Sequence, residues 1–193
     1  MNVQKHEGRL FPILERMKAI QKKKNGKVIV AIDGRCASGK STMAAMLSQT
    51  TGASVIHMDD FYLPKEMRTE ERLEQPGGNV HYERFKEDVL IPLEKGETFS
   101  YRRFDCSKME LGELQEVPKS DFYVVEGAYS CHPGLGNYAD IKVFAHVELK
   151  EQLRRIEVRN GQEKLSMFRE RWIPMEEKYF AYYSIEEAAD VIV

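Results

Sequence analysis

The chain has 193 residues, 42% hydrophobic and 31% charged, with 29 lysines and arginines against 31 aspartates and glutamates. That length predicts one α/β domain over 1–193, and the near-neutral balance excludes the basic footprint of a nucleic-acid or membrane-surface binder. Three cysteines (Cys36, Cys106, Cys131) without metal-ligand spacing argue against a disulfide framework or zinc site, and with no apolar leader or long apolar span they predict a cytoplasmic protein.

Leu10, Ile13, Leu14, Met17 and Ile20 recur at helical spacing, predicting an amphipathic helix within residues 1–24 that packs on a sheet and ends at Asn25-Gly26. Lys22-Lys23-Lys24 suits the C-terminal end of that helix. Lys27 to Asp33 predicts the first strand, its apolar residues Val28 to Ile32 unbroken as in a strand buried on both faces. A glycine-bearing loop follows, then a helix from Lys40 to about Ser48. Ala53–Met58 predicts a second strand, closed by Asp59-Asp60-Phe61-Tyr62.

Gln75-Pro76-Gly77-Gly78 marks a loop, and Tyr82 to about Leu93 a helix broken near Pro92. Residues 97–120 hold short β-like pieces around Tyr101 and Phe104. Phe122–Val125 and Ile141–Val147 predict further strands. A polar, arginine-rich helical region covers about 150–183, then a short helix at Glu186–Ala188 and a last strand at Ala189–Val193. Strands alternating with helices predict a parallel sheet covered on both faces, with ligands beyond the carboxyl ends of the strands.

Gly34 to Ser41 spells G-x-x-x-x-G-K-S/T between a strand and a helix. In that setting backbone amides of Gly34, Cys36, Ala37, Ser38, Gly39, Lys40, Ser41 and Thr42 cradle nucleotide phosphates, Lys40 reaches the β- and γ-phosphates, and the Ser41 hydroxyl sits on magnesium. A guanine-reading N-K-x-D is absent. Asp59, at a strand end, has the chemistry of a base for an attacking hydroxyl and of a magnesium acid. Asp60 is the lesser candidate, suited to a turn cap.

Glu126, ending Val124-Val125, suits magnesium held through water. Arg155 and Arg159, spaced i, i+4, project from one helix face and can neutralise a transferring phosphate, with Arg154, Arg169 and Arg171 near by. Trp172 suits a packing role in that lid.

Together these residues resemble the uridine kinase and phosphoribulokinase group of P-loop kinases. Asp59-Asp60-Phe61-Tyr62 is similar to that group's D-S-F-Y, Val124 to Gly127 to its apolar-E-G, and Ala189 to Val193 to its A-D-x-I strand. The resemblance implies a three-layer P-loop NTPase fold with a central parallel sheet and a helical lid. It also implies transfer of a phosphoryl group from ATP, with magnesium, to a hydroxyl of a small sugar-containing acceptor.

By the same resemblance Tyr62 lies near that acceptor and Tyr101 matches a substrate-contacting tyrosine. His81 stands where uridine kinases carry a ribose-gripping aspartate, with Glu83 as its candidate substitute, and Cys106 stands where they carry a pyrimidine-reading histidine. The lid's R-x-x-R-D is replaced by Arg155 to Asn160. A regulatory ATP-binding protein with little turnover is the alternative reading.

Overall fold

The computed structural model describes residues 3–193, with side-chain surroundings from residue 8 onward. In chain order the elements open with α1 (Val3–Gln21), β1 (Val28–Gly34), α2 (Lys40–Thr51) and β2 (Ser54–His57), followed by a 3-10 turn at Met58–Phe61. Then come α3 (Glu70–Glu74), α4 (Tyr82–Phe85), α5 (Ile91–Lys95), β3 (Phe99–Asp105), β4 (Glu110–Val117) and β5 (Phe122–Glu126). The chain continues through β6 (Ile141–Ala145), α6 (Leu149–Asn160), α7 (Gln162–Met167), α8 (Ile173–Tyr183) and β7 (Val191–Ile192).

Five strands form one parallel sheet in the order β2-β5-β1-β6-β7. All seven β1 residues are buried, which explains its unbroken apolar run. Successive strand residues face opposite layers. Val28, Val30 and Ile32 pack with Leu10, Ile13 and Met17 of α1 and Met43 and Leu47 of α2, while Ile29, Val125 and Phe144 pack with Val89, Leu93 and Phe180. The predicted sheet, covered by helices on both faces, is present.

Three predicted elements differ. Residues 97–120 form one antiparallel hairpin, β3 with β4, set apart from the main sheet. The helix from Tyr82 does not break at Pro92. A π-helical turn at Lys86–Leu90 leads directly into α5, and the wider register of that turn sits just ahead of Pro92, whose ring and missing N–H disfavour a regular helix interior. Glu186–Ala188 is a run of turns rather than a helix.

The hairpin is latched to the 3-10 turn by buried Asp60, whose carboxylate accepts from Tyr101 Oη at 2.9 Å and Arg103 Nε at 3.0 Å, with Tyr101 packed on Phe61. Tyr101→Phe leaves that buried carboxylate one donor short. The expected cost is about 1–3 kcal/mol, read as a lower denaturant midpoint with an unchanged slope.

Candidate active site

β1 delivers the chain into the loop at Gly34, where φ is +125° and an added Cβ would stand 2.4 Å from the Ala145 carbonyl oxygen. Only glycine lets the end of β1 pass β6 this closely. Ala37 and Gly39 then take left-handed backbone, and α2 starts at Lys40, so its first-turn amides lack helical acceptors at the loop. Lys40, 8% exposed, turns its Nζ onto the Gly34 and Arg35 carbonyls at 2.7 and 3.0 Å. Ser38 is fully buried, and its Oγ has no partner among the described residues.

The loop is braced from several sides. Arg9 of α1 donates to the Ser38 and Val193 carbonyls, and Arg155 of α6 to the Ala37 carbonyl at 3.0 Å. Arg35 makes a two-pronged pair with Glu177 of α8. Asp33, wholly buried at the end of β1, accepts from the amides of Gly34, Tyr129 and Cys131 and from the Tyr179 hydroxyl. Burial raises its pKa, and these four donors keep the carboxylate solvated by protein.

Parallel pairing places His57, the last residue of β2, beside Glu126, the last of β5. Glu126 accepts from Ser41 Oγ at 3.1 Å and lies 2.5 Å from His57 Nδ1. That bond to Glu126 raises the His57 pKa. Gly127 follows with φ +138°, and an added Cβ would meet Met58 Cβ at 2.8 Å and Asp59 Oδ1 at 3.4 Å, so this glycine lets the chain pass over Asp59. Asp59 accepts from Tyr62 Oη at 3.1 Å. Desolvation of its carboxyl and the nearby Glu126 charge raise its pKa, against the pull of Lys40.

Lys40, Ser41, Asp59, Tyr62 and Glu126 line one cleft of about 1130 Å³. Among the loop residues, Cys36, Ala37, Gly39, Lys40, Ser41 and Thr42 face it, whereas Gly34 and Ser38 shape the loop from behind. Arg154, Arg155 and Arg159 of α6 line it too, as does Trp172. Arg169 and Arg171 are not among the lining residues, and Arg171 lies over the Trp172 ring at 5.0 Å.

His81, Glu83 and Tyr101 are not brought into the cleft. His81 caps α4 by accepting from the Arg84 amide, Glu83 pairs with Arg72 through both oxygens at 2.9 and 3.0 Å, and Tyr101 is buried against Asp60. Cys106 does line it. Burial raises the Cys36 thiol pKa to about 12, which keeps it protonated and a poor nucleophile.

Several lining residues had no motif to announce them, Asn79, Tyr129 and Glu176 among them. Glu176 occupies a buried position of α8 in register with Ile173, Tyr179 and Phe180, so a charge on the apolar stripe was the readable signal. Burial raises its pKa from 4.5 to about 7. Raising an acid's folded pKa favours the protonated folded state, so stability present below the unfolded pKa is lost as pH climbs through about 7. Glu176→Gln removes that loss. The stability gap in favour of the variant is expected to widen by about 3 kcal/mol between pH 4 and pH 8, measured by denaturation at each pH.

The donor set fits magnesium. Ser41 Oγ and the carboxylates of Glu126 and Asp59 are hard oxygen ligands gathered where two strands end. Among the described residues no cluster of three or more His, Cys, Asp or Glu could hold a metal alone.

A scan against protein-family models finds no match, and a comparison with curated proteins finds none either. Solved structures do match. A candidate uridine kinase from Bacillus stearothermophilus superposes with a TM-score of 0.66 at 21% identity, covering 94% of this chain and 98% of its own. A candidate fructose transport system kinase from Silicibacter sp. TM1040 gives 0.67 at 21% identity, covering 92% and 96%. The chain therefore has the three-layer α/β fold of P-loop kinases.

Proposed function

We propose that this chain is an ATP-dependent phosphotransferase acting on a hydroxyl of a small nucleoside-like or other sugar-containing metabolite. The observation that carries the reading is the meeting of Lys40 and Ser41 of the loop with Asp59 and Glu126 from neighbouring strand ends in one cleft. A structural turn would have no use for that convergence.

In this reading Lys40 and the loop amides bind the β- and γ-phosphates of ATP. Ser41, Glu126 and Asp59 hold magnesium, which when bound neutralises phosphate oxygens. Asp59 orients the acceptor hydroxyl and takes its proton as the oxygen bonds to the γ-phosphorus and the bond to the departing ADP oxygen breaks. Its raised pKa brings it closer to neutral pH, where proton uptake is better driven.

Arg155 and Arg159 close over the transferring group. Arg155 already donates to the Ala37 carbonyl, which holds its guanidinium beside the loop. Tyr62, bonded to Asp59, forms the wall on which the acceptor rests.

The test is ADP production with magnesium and ATP against a panel of nucleosides, sugars, polyols and simple alcohols. Acceptor-dependent ADP release supports the reading. ATP binding with no acceptor-dependent release across the panel favours a regulatory nucleotide-binding protein.

A further inference from the structure

The cleft contains a carboxyl that the phosphotransfer reading does not use. Glu176 of α8 is 6% exposed, lines the cleft, and accepts from the Cys36 amide at Oε2 at 2.9 Å, with the Cys36 thiol also beside its carboxyl. Its Oε1 accepts from no N–H or O–H of the described residues. Nor is that oxygen sealed away, since the sealed side-chain atoms without partners are Ser38 Oγ, Asn79 Oδ1 and Ser130 Oγ. One oxygen is thus anchored on the loop and the other opens to the cleft.

The surroundings set which ligand that oxygen suits. Lys40 from α2, Asp33 from β1 and the Cys36 thiol from the loop are the charged or titratable groups that act on Glu176, and Tyr62 and Tyr129 feel its charge in turn. Tyr62 also donates to Asp59. The wall therefore runs from Asp59 through Tyr62 to Glu176, with Asn79 beside Tyr129. A carboxylate repels phosphate oxygens and accepts from hydroxyls, so Glu176 suits the acceptor rather than the nucleotide. Bracing Cys36 alone needs only one oxygen, which a glutamine would supply.

We propose that Glu176 is the residue that reads the acceptor, its free Oε1 accepting a hydrogen bond from a second hydroxyl while Asp59 attends to the one that is phosphorylated. The acceptor is then a polyhydroxyl compound, and a simple alcohol is rejected. This rests on the phosphotransfer reading above. It also assigns the hydroxyl-holding role to α8 rather than to Glu83, whose carboxylate is spent on Arg72.

The experiment compares wild type with Glu176→Gln on ribonucleosides, sugars and polyols, each paired with its mono-deoxy counterpart. Two readouts are used: phosphorylated product, and the fluorescence of Trp172, which lines the cleft and is the one tryptophan in the chain. Assayed at pH 8, where Glu176 is ionised, loss of a hydrogen bond to a charged group predicts an acceptor KM about 10- to 100-fold higher in the variant, with the KM for ATP unchanged. One deoxy counterpart should lose a similar factor in wild type and nothing further in the variant, because both changes delete the same bond.

An unchanged acceptor KM, a rise in the KM for ATP instead, or equal use of simple alcohols overturns the proposal. If no compound is phosphorylated, Trp172 titrations decide. Polyhydroxyl binding that weakens in Glu176→Gln sustains the assignment of Glu176 while the kinase reading falls. Absence of binding in wild type overturns both.

Discussion

Asp59→Asn lowers phosphotransfer by about 10²- to 10⁴-fold while ATP affinity stays within a few-fold, the range expected when a positioned general base is lost. Asparagine keeps an oxygen that can accept from Tyr62 at the same place, so the pocket retains its shape and only proton uptake and one negative charge disappear. Losing a charge beside Glu126 relieves repulsion, and Ser41, Glu126 and the asparagine oxygen still present oxygens to magnesium, so nucleotide binding changes little. Initial rates at saturating acceptor, together with ATP titrations, separate the effects. A rate within a few-fold of wild type removes Asp59 from the chemistry.

Lys40→Ala is expected to cut turnover by at least about 10²- to 10³-fold, because a buried cation aimed at developing phosphate charge is worth far more there than in water. The loop should survive. Lys40 Nζ contributes two hydrogen bonds, to Gly34 and Arg35, whereas Arg9, Arg155 and the Asp33 network hold the loop independently. A melting temperature close to wild type with turnover lost fits this division. Undiminished turnover removes the loop lysine from catalysis.

Much of the frame was legible because it obeys short-range rules. β1 and β5 are nearly uniform apolar runs since both are buried on both faces, and the loop signature is a local spacing. Asp59 and Glu126 were readable from their places at strand ends, a property of the chain rather than of the packed molecule. The hairpin β3–β4 was harder. Most of its residues face solvent, and only Tyr101, Phe104 and Val117 are buried, so no period-two stripe appears.

The acceptor side was the least legible. His81 and Glu83 stand at the expected place along the chain, but a local cap and the Arg72 pair use them elsewhere. Asp60, next to the catalytic candidate, was outwardly interchangeable with it until Tyr101 and Arg103 arrived from a strand about forty residues on. Glu176 sits in Pro174-Met175-Glu176-Glu177-Lys178, where either glutamate could face inward until the helix register is known. In the folded molecule Glu176 takes the loop amide of Cys36 and Glu177 takes Arg35.

The central claim, that the γ-phosphoryl group moves to a carbon-bound hydroxyl, is tested most directly by phosphorus NMR of ATP, magnesium and the acceptor panel, with wild type and Lys40→Ala in parallel. The expected result is a new phosphomonoester resonance growing with ADP in wild type and absent in the variant. Inorganic phosphate alone, or a spectrum of unconsumed ATP in every acceptor mixture, contradicts the claim.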